Sequence, residues 1–217
     1  MMGILLQTKT DNFIGMLSKM GVGGNIVIAI LLILSILAIY ILVERYFAIR
    51  KESIEDEDFL MSIRKFVEEK DIKKAKILCK NTDSPIARMI EKGLDRIDKP
   101  MTDISAAIEN QGKLEIYKMD NKITNLATIS GAAPMIGFLG TVIGMIIAFQ
   151  KMARSTTVSP ADLAGGIYTA MITTAAGLVV GIIAYISYNY LVNKVDKVIF
   201  QLEARTTEFL DLLHHND

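Results

Sequence analysis

Along the 217 residues of the chain, three long apolar runs alternate with stretches in which apolar and charged positions interleave at helical spacing. "NIVIAILLILSILAIYILV" (25–43), "LATISGAAPMIGFLGTVIGMIIAF" (126–149) and the run from Leu163 to Leu191 carry no charged residue. A bilayer core of about 30 Å is crossed by about 20 helical residues, so the pattern predicts transmembrane helices over 25–43, 126–150 and 163–191. The first run is too long for the apolar part of a secretion signal. "ERYFAIRKE" follows it where a small-residue cleavage site would stand, so it reads as a retained anchor.

The interleaved segment 44–125 reads as a helical domain. "DFLMSIRKFVEEK" sets Phe59, Leu60, Ile63, Phe66 and Val67 on one face, and "DIKKAKILCK" does the same with Ile72, Ala75, Leu78 and Cys79. "DSPIARMIEKGLDRI" opens with Ser84 before Pro85, an N-cap followed by a proline at the first helical position. From Thr102 no Pro or paired Gly interrupts the chain before Pro134, which predicts one helix rising straight into the second span. Residues 192–217 repeat an apolar stripe (Val192, Val195, Val198, Ile199, Leu202, Phe209, Leu212 and Leu213) and predict a C-terminal helix and tail. Residues 1–24 predict an amphipathic segment lying on the outer membrane face. The fold class is therefore all-α: a polytopic membrane protein whose three spans extend into a cytoplasmic helical bundle.

Charge fixes the expected orientation. Of 24 Lys and Arg, 17 lie between Glu44 and Asn125 and three follow the last span, leaving Lys9, Lys19, Lys151 and Arg154 for the other side. The positive-inside rule places 44–125 and the C-terminus in the cytoplasm, with the N-terminus and the 151–162 loop outside. A chain 51% hydrophobic yet 22% charged is no ordinary soluble domain, and a zero net charge gives no basic face for nucleic acid. Cys79 is the lone cysteine, which excludes an intramolecular disulfide and reads as a reduced, half-buried helix residue. Glu55 to Asp58 read as a solvated first helical turn rather than a cation site. His214 and His215 lack the further ligands that a metal needs, so no metal or other cofactor is expected.

The two later spans are two-faced. At about 100° per residue, Ser130, Ala133, Pro134, Gly137, Gly140, Thr141, Gly144 and Ala148 share one side of the second span. Ala170, Thr173, Thr174, Gly177, Gly181 and Ala184 share one side of the third, and bulky residues oppose both stripes. Gly140-x-x-x-Gly144 and Gly177-x-x-x-Gly181 fit close helix packing, with Gly137 on the same stripe. Pro134 frees a carbonyl in mid-membrane that must face protein or water, which leaves a hydrated path open as the other use of these faces. Neither span contains Asp, Glu, His, Lys or Arg, so a proton relay through them needs an acid from a partner helix. The same lack removes the base, nucleophile and metal set of a membrane enzyme, while a non-conducting scaffold stays open.

These residues resemble the MotA/TolQ/ExbB proton-channel family, more closely its ExbB and TolQ branch. The likeness lies in Gly140-Thr141-Val142-x-Gly144, in Thr173-Thr174-Ala175-x-Gly177-Leu178 and in the cytoplasmic "AKILCKNTDSPIARMIEKGL". It implies a pentameric ring around a dimer of a single-span partner similar to ExbD or TolR, whose aspartate binds the proton. The work would pass to a TonB-like protein. In that picture the second and third spans line the pore, Thr141 and Thr174 face the partner's aspartate, and Pro134 matches a family proline. The expected ion path and partner-facing surface comprise Thr141, Thr174, Thr173, Pro134 and Thr169. Relatives commonly carry a glutamate where this chain has Thr169, which admits sodium beside the expected proton as the coupled ion.

Overall fold

The computed structural model describes residues 21–52, 57–154 and 160–215. The predicted segment 1–24 therefore falls almost wholly outside the described residues, as do Glu55 and Asp56, residues 155–159 of the predicted loop, and the last two residues. Seven helices make up the described chain: α1 (Gly21–Glu52), α2 (Glu57–Glu68), α3 (Ile72–Asn81), α4 (Pro85–Leu94), α5 (Met101–Asp120), α6 (Ile123–Arg154) and α7 (Pro160–His215). There is no strand among the described residues. Three stretches are long and apolar enough to cross a membrane, within Val22–Lys51, Met101–Arg154 and Leu163–His214. The chain divides into two compact units, one holding the residues up to Tyr40 with Asn125–Ser187 and the other Ile41–Thr124 with Tyr188–Asp217.

In the second unit, local signals in the sequence set the helix ends. The Ser84 hydroxyl accepts from the Ala87 N–H at 3.3 Å with Pro85 in the first turn, and Asp71 caps α3 by accepting from the Lys74 N–H at 3.1 Å. Apolar faces then close around Ile63, Ile90, Leu94 and Ile108. At Gly93 α4 meets both α5 and α7: a Cβ there would lie 2.7 Å from Ile108 Cδ1 and 3.3 Å from the Phe209 ring. Cys79 is wholly enclosed rather than half-buried, and burial pushes its thiol up to about 12, which keeps it protonated and inert.

The expectation of one unbroken helix from Thr102 into the second span is corrected. Asn121 leaves the helical region at φ −54°, ψ 134°, and Lys122 adopts a left-handed φ of 72°. No Gly or Pro marks the break. Across the break the Lys122 ammonium donates to Glu44 Oε1 of α1 at 2.6 Å.

In the first unit, α6 and α7 run antiparallel and α1 meets α6 at Gly23, where an added Cβ would lie against Ile143 and Ile147. The outer faces stay bulky and exposed, with Met135, Phe138 and Leu139 on α6 and Leu178, Val179 and Ile182 on α7. Exposure of this kind suits hydrocarbon and would be costly in water.

Candidate ion pathway

Each predicted small-residue stripe lies against the other. A Cβ added at Gly137 would stand 2.7 Å from the Thr173 carbonyl oxygen, and one at Gly177 only 2.6 Å from the Ala133 carbonyl oxygen. At Gly140 it would strike the Thr173 side chain, and at Gly144 it would lie 3.1 Å from Ala170 Cβ. A Cβ at Gly181 would stand 2.6 Å from the Pro134 ring and 3.1 Å from the Ser130 carbonyl oxygen. That carbonyl is the one Pro134 frees, since proline has no N–H to return to it. It faces protein in mid-helix, where α7 has only hydrogen to offer as a side chain.

The hydroxyls divide into enclosed and accessible ones. Thr173 is fully buried between the helices, and its Oγ1 donates to the Ala170 carbonyl at 2.7 Å. Thr174 is half-buried and donates across to the Gly137 carbonyl of α6 at 3.2 Å. Thr141 and Thr169 are partly exposed, and each donates back to its own helix, to the Phe138 and Gly165 carbonyls. A hydroxyl has one donor and two acceptor lone pairs, so each of these oxygens still presents acceptor capacity. Thr141 and Thr174 can therefore take a hydrogen bond from water or a protonated carboxyl while keeping the helices satisfied. No group of three or more His, Cys, Asp or Glu that could hold a metal occurs among the described residues.

The second unit holds a charged cluster that the small-residue stripes do not announce. Glu115 has no exposed surface and accepts from Gln111 Nε2 at 2.6 Å, Arg88 Nη2 at 2.8 Å and Lys118 Nζ at 2.9 Å. Arg88 also donates to Asp83 at 2.9 Å, and Asp83 accepts from Lys51 of α1 at 2.9 Å. The chain of charges continues through Arg45, which donates to the Lys118 carbonyl at 3.1 Å, and through Glu44 to Lys122. The signal for it lies in the α5 pattern: Glu115 falls on the buried stripe of Ile104, Ile108, Gly112 and Met119.

Burial raises the Glu115 carboxyl, but Arg88 and Lys118 more than offset this and hold it below its ordinary 4.5. A carboxyl depressed in the folded chain contributes stability that is complete above its unfolded value and is lost as pH falls through the folded one. We therefore expect the thermal midpoint of the detergent-solubilised chain to drop as pH is lowered below 4.5, with a shallower drop in Glu115→Gln. An unchanged pH profile in Glu115→Gln would assign the acid sensitivity to other carboxyls.

Known proteins resemble the chain over these regions. The profile of the MotA/TolQ/ExbB proton channel family matches residues 81–204, which contain α5, α6, Glu115 with its partners Arg88 and Lys118, and the paired stripes. A biopolymer transport protein ExbB homologue of Methanothermobacter thermautotrophicus is 28% identical over 193 residues, 88% of this chain and 68% of that protein. The biopolymer transport protein ExbB of Aquifex aeolicus is 32% identical over 110 residues, covering 50% of this chain and 74% of that one. The Tol-Pal system protein TolQ of Haemophilus influenzae is 34% identical over 100 residues, 46% of this chain and 44% of that protein. The match takes in the paired stripes and the three apolar helices accompany it, so the chain belongs to the MotA/TolQ/ExbB proton channel family, in its ExbB and TolQ branch, as a multi-pass membrane component of such systems and not an enzyme.

Proposed function

We propose that the chain is the ring-forming subunit of an ion-driven motor in the inner membrane of its cell. In this reading five copies surround a dimer of a single-span partner similar to ExbD or TolR. Protons cross along the partner's aspartate and the Thr141 and Thr174 oxygens, and the motion is delivered to a TonB-like protein that serves outer-membrane transport. Gly137, Gly140, Gly144, Gly177 and Gly181 hold α6 and α7 together, and Thr173 and Pro134 set the position of the path. The N-terminus lies outside and the C-terminus in the cytoplasm, as the distribution of Lys and Arg supports.

The observation that carries this reading is a mismatch. Two closely packed helices offer hydroxyl acceptors but no group in either span that can titrate at neutral pH. Such a pair can support a proton step and cannot supply one, so the acid must come from a second chain. Thr169 favours sodium as a second reading, because a hydroxyl oxygen with free lone pairs is a cation ligand where a carboxyl would be a proton carrier.

The test is to co-express the chain with its single-span partner, reconstitute the complex and measure ion uptake at fixed membrane potential. Proton uptake without added sodium is expected, and it should fall at least about tenfold in Thr141→Val/Thr174→Val, about 1.4 kcal/mol for the two hydrogen-bonding groups lost. Uptake only with sodium would transfer the function to the second reading. No uptake of either ion, or full coupled work in the double variant, would leave the chain as a scaffold.

A further inference from the structure

Where the apolar runs of α1 and α7 give way to charge, a group of rings and cations meets in the second unit. Tyr46 of α1 stacks on Tyr190 of α7 with ring centroids 6.3 Å apart, and Phe47 stands edge-on to Tyr46 at 5.6 Å. The Lys194 ammonium lies over the Tyr190 ring, 5.7 Å from its centroid. Phe47 is 62% exposed and Tyr190 43%, so both rings present surface outward. The apolar runs end at Val43 and Leu191, which puts these rings within about one helical turn of the level where hydrocarbon meets headgroups.

The cations here differ from their neighbours. Arg45, Lys51, Lys118 and Lys122 each have a carboxylate partner, in Glu44, Asp83, Glu115 and Glu44. Arg50 and Lys194 are exposed and have none among the described residues. Each follows a ring of the stacked pair by four residues, one turn on, Arg50 after Tyr46 and Lys194 after Tyr190. Two cations with no carboxylate partner among the described residues, beside an exposed aromatic face at the end of two apolar spans, match an amphiphile with an anionic head. Val43, one turn before Phe47 on α1, is bulky, uncharged and exposed, as acyl chains require.

We propose that Tyr46, Phe47, Arg50, Tyr190 and Lys194 form a site for the headgroup of an anionic phospholipid. Arg50 and Lys194 bind the phosphate, and the Tyr46–Tyr190 stack fixes Lys194 through the ring beneath it. Phe47 packs on the first methylenes of the acyl chains.

The chain contains no Trp, so Phe47→Trp creates a single fluorescent reporter at the site while keeping a ring there. The full chain carrying Phe47→Trp would be reconstituted into phosphatidylcholine vesicles containing either brominated phosphatidylglycerol or brominated phosphatidylcholine, and quenching compared. We expect the anionic lipid to bind about thirtyfold more strongly, the weight of two interfacial cations, and the preference to vanish when Arg50→Gln and Lys194→Gln are added. Circular dichroism and elution volume check that the variants stay folded. Equal quenching by the two lipids, a preference that survives removal of both cations, or quenching by neither lipid would each overturn the site. Inorganic phosphate is added in a further arm, against chloride at equal ionic strength; abolition of the preference by phosphate alone would assign the site to a free anion and overturn the lipid.

Discussion

Gly177→Ala is expected to loosen the α6–α7 pair, lowering stability by about 1–3 kcal/mol, while Gly131→Ala leaves the midpoint unchanged or raises it. Both positions lie inside apolar helices, and in an open helix the exchange of Gly for Ala favours folding by up to about 1 kcal/mol. What separates them is space. A Cβ at Gly131 meets nothing within 4 Å, whereas one at Gly177 lies 2.6 Å from the Ala133 carbonyl oxygen and 2.9 Å from Gly137 Cα. Those are backbone atoms of α6, which cannot turn aside as a side chain can, so the helix itself must move. The contrast with Gly112 is instructive, because there the crowding atom is the mobile end of Met89, 2.9 Å away. Shifting α6 also strains the Thr174 hydrogen bond to Gly137, so Gly177→Ala should depress ion uptake beyond its effect on stability. Thermal unfolding of both variants in detergent checks the first part, and an equal response at Gly131 and Gly177 would mean that the stripes are not tightly packed.

The spans and helix faces were legible in the sequence because an apolar run or a 3.6-residue period reports a local physical demand. The two stripes were legible as faces, but a periodicity gives the direction of a face and not its neighbour. Gly137 and Gly177 are suited to any close helix, and the fold alone turns them on each other. Thr173 shows the consequence: it shares its stripe with Thr174, yet one is sealed between helices and the other reaches the Gly137 carbonyl. The break at Asn121–Lys122 was illegible for a different reason. The ion pair that accompanies it joins Lys122 to Glu44, 78 positions earlier, and nothing in the Asn-Lys pair announces it. Glu115 sits between these cases, since a carboxylate on the stripe of Ile104, Ile108 and Met119 is visible in the pattern but its partner Arg88 lies 27 positions away.

Removing both cations from Glu115, with Arg88→Met and Lys118→Met together, is expected to destabilise the chain by roughly 3–5 kcal/mol at neutral pH, the cost of stranding a buried charge. Either substitution alone should cost less, because the remaining cation and the Gln111 amide still donate to the carboxylate. Adding Glu115→Leu to the double variant should recover most of the loss, since a leucine of similar volume needs no partner. The pH response separates this account from lost packing. In the unaltered chain the Glu115 carboxyl is depressed, so acid weakens the fold. Stripped of both cations, the same buried carboxyl is governed by desolvation and its folded value rises above the unfolded one. Its burden is then heaviest at neutral pH and lifts as pH falls, so the double variant should gain stability relative to the unaltered chain on acidification. Urea unfolding at two pH values measures this sign directly, and a triple variant as unstable as the double would show that the cations act by packing their stems rather than by compensating the charge.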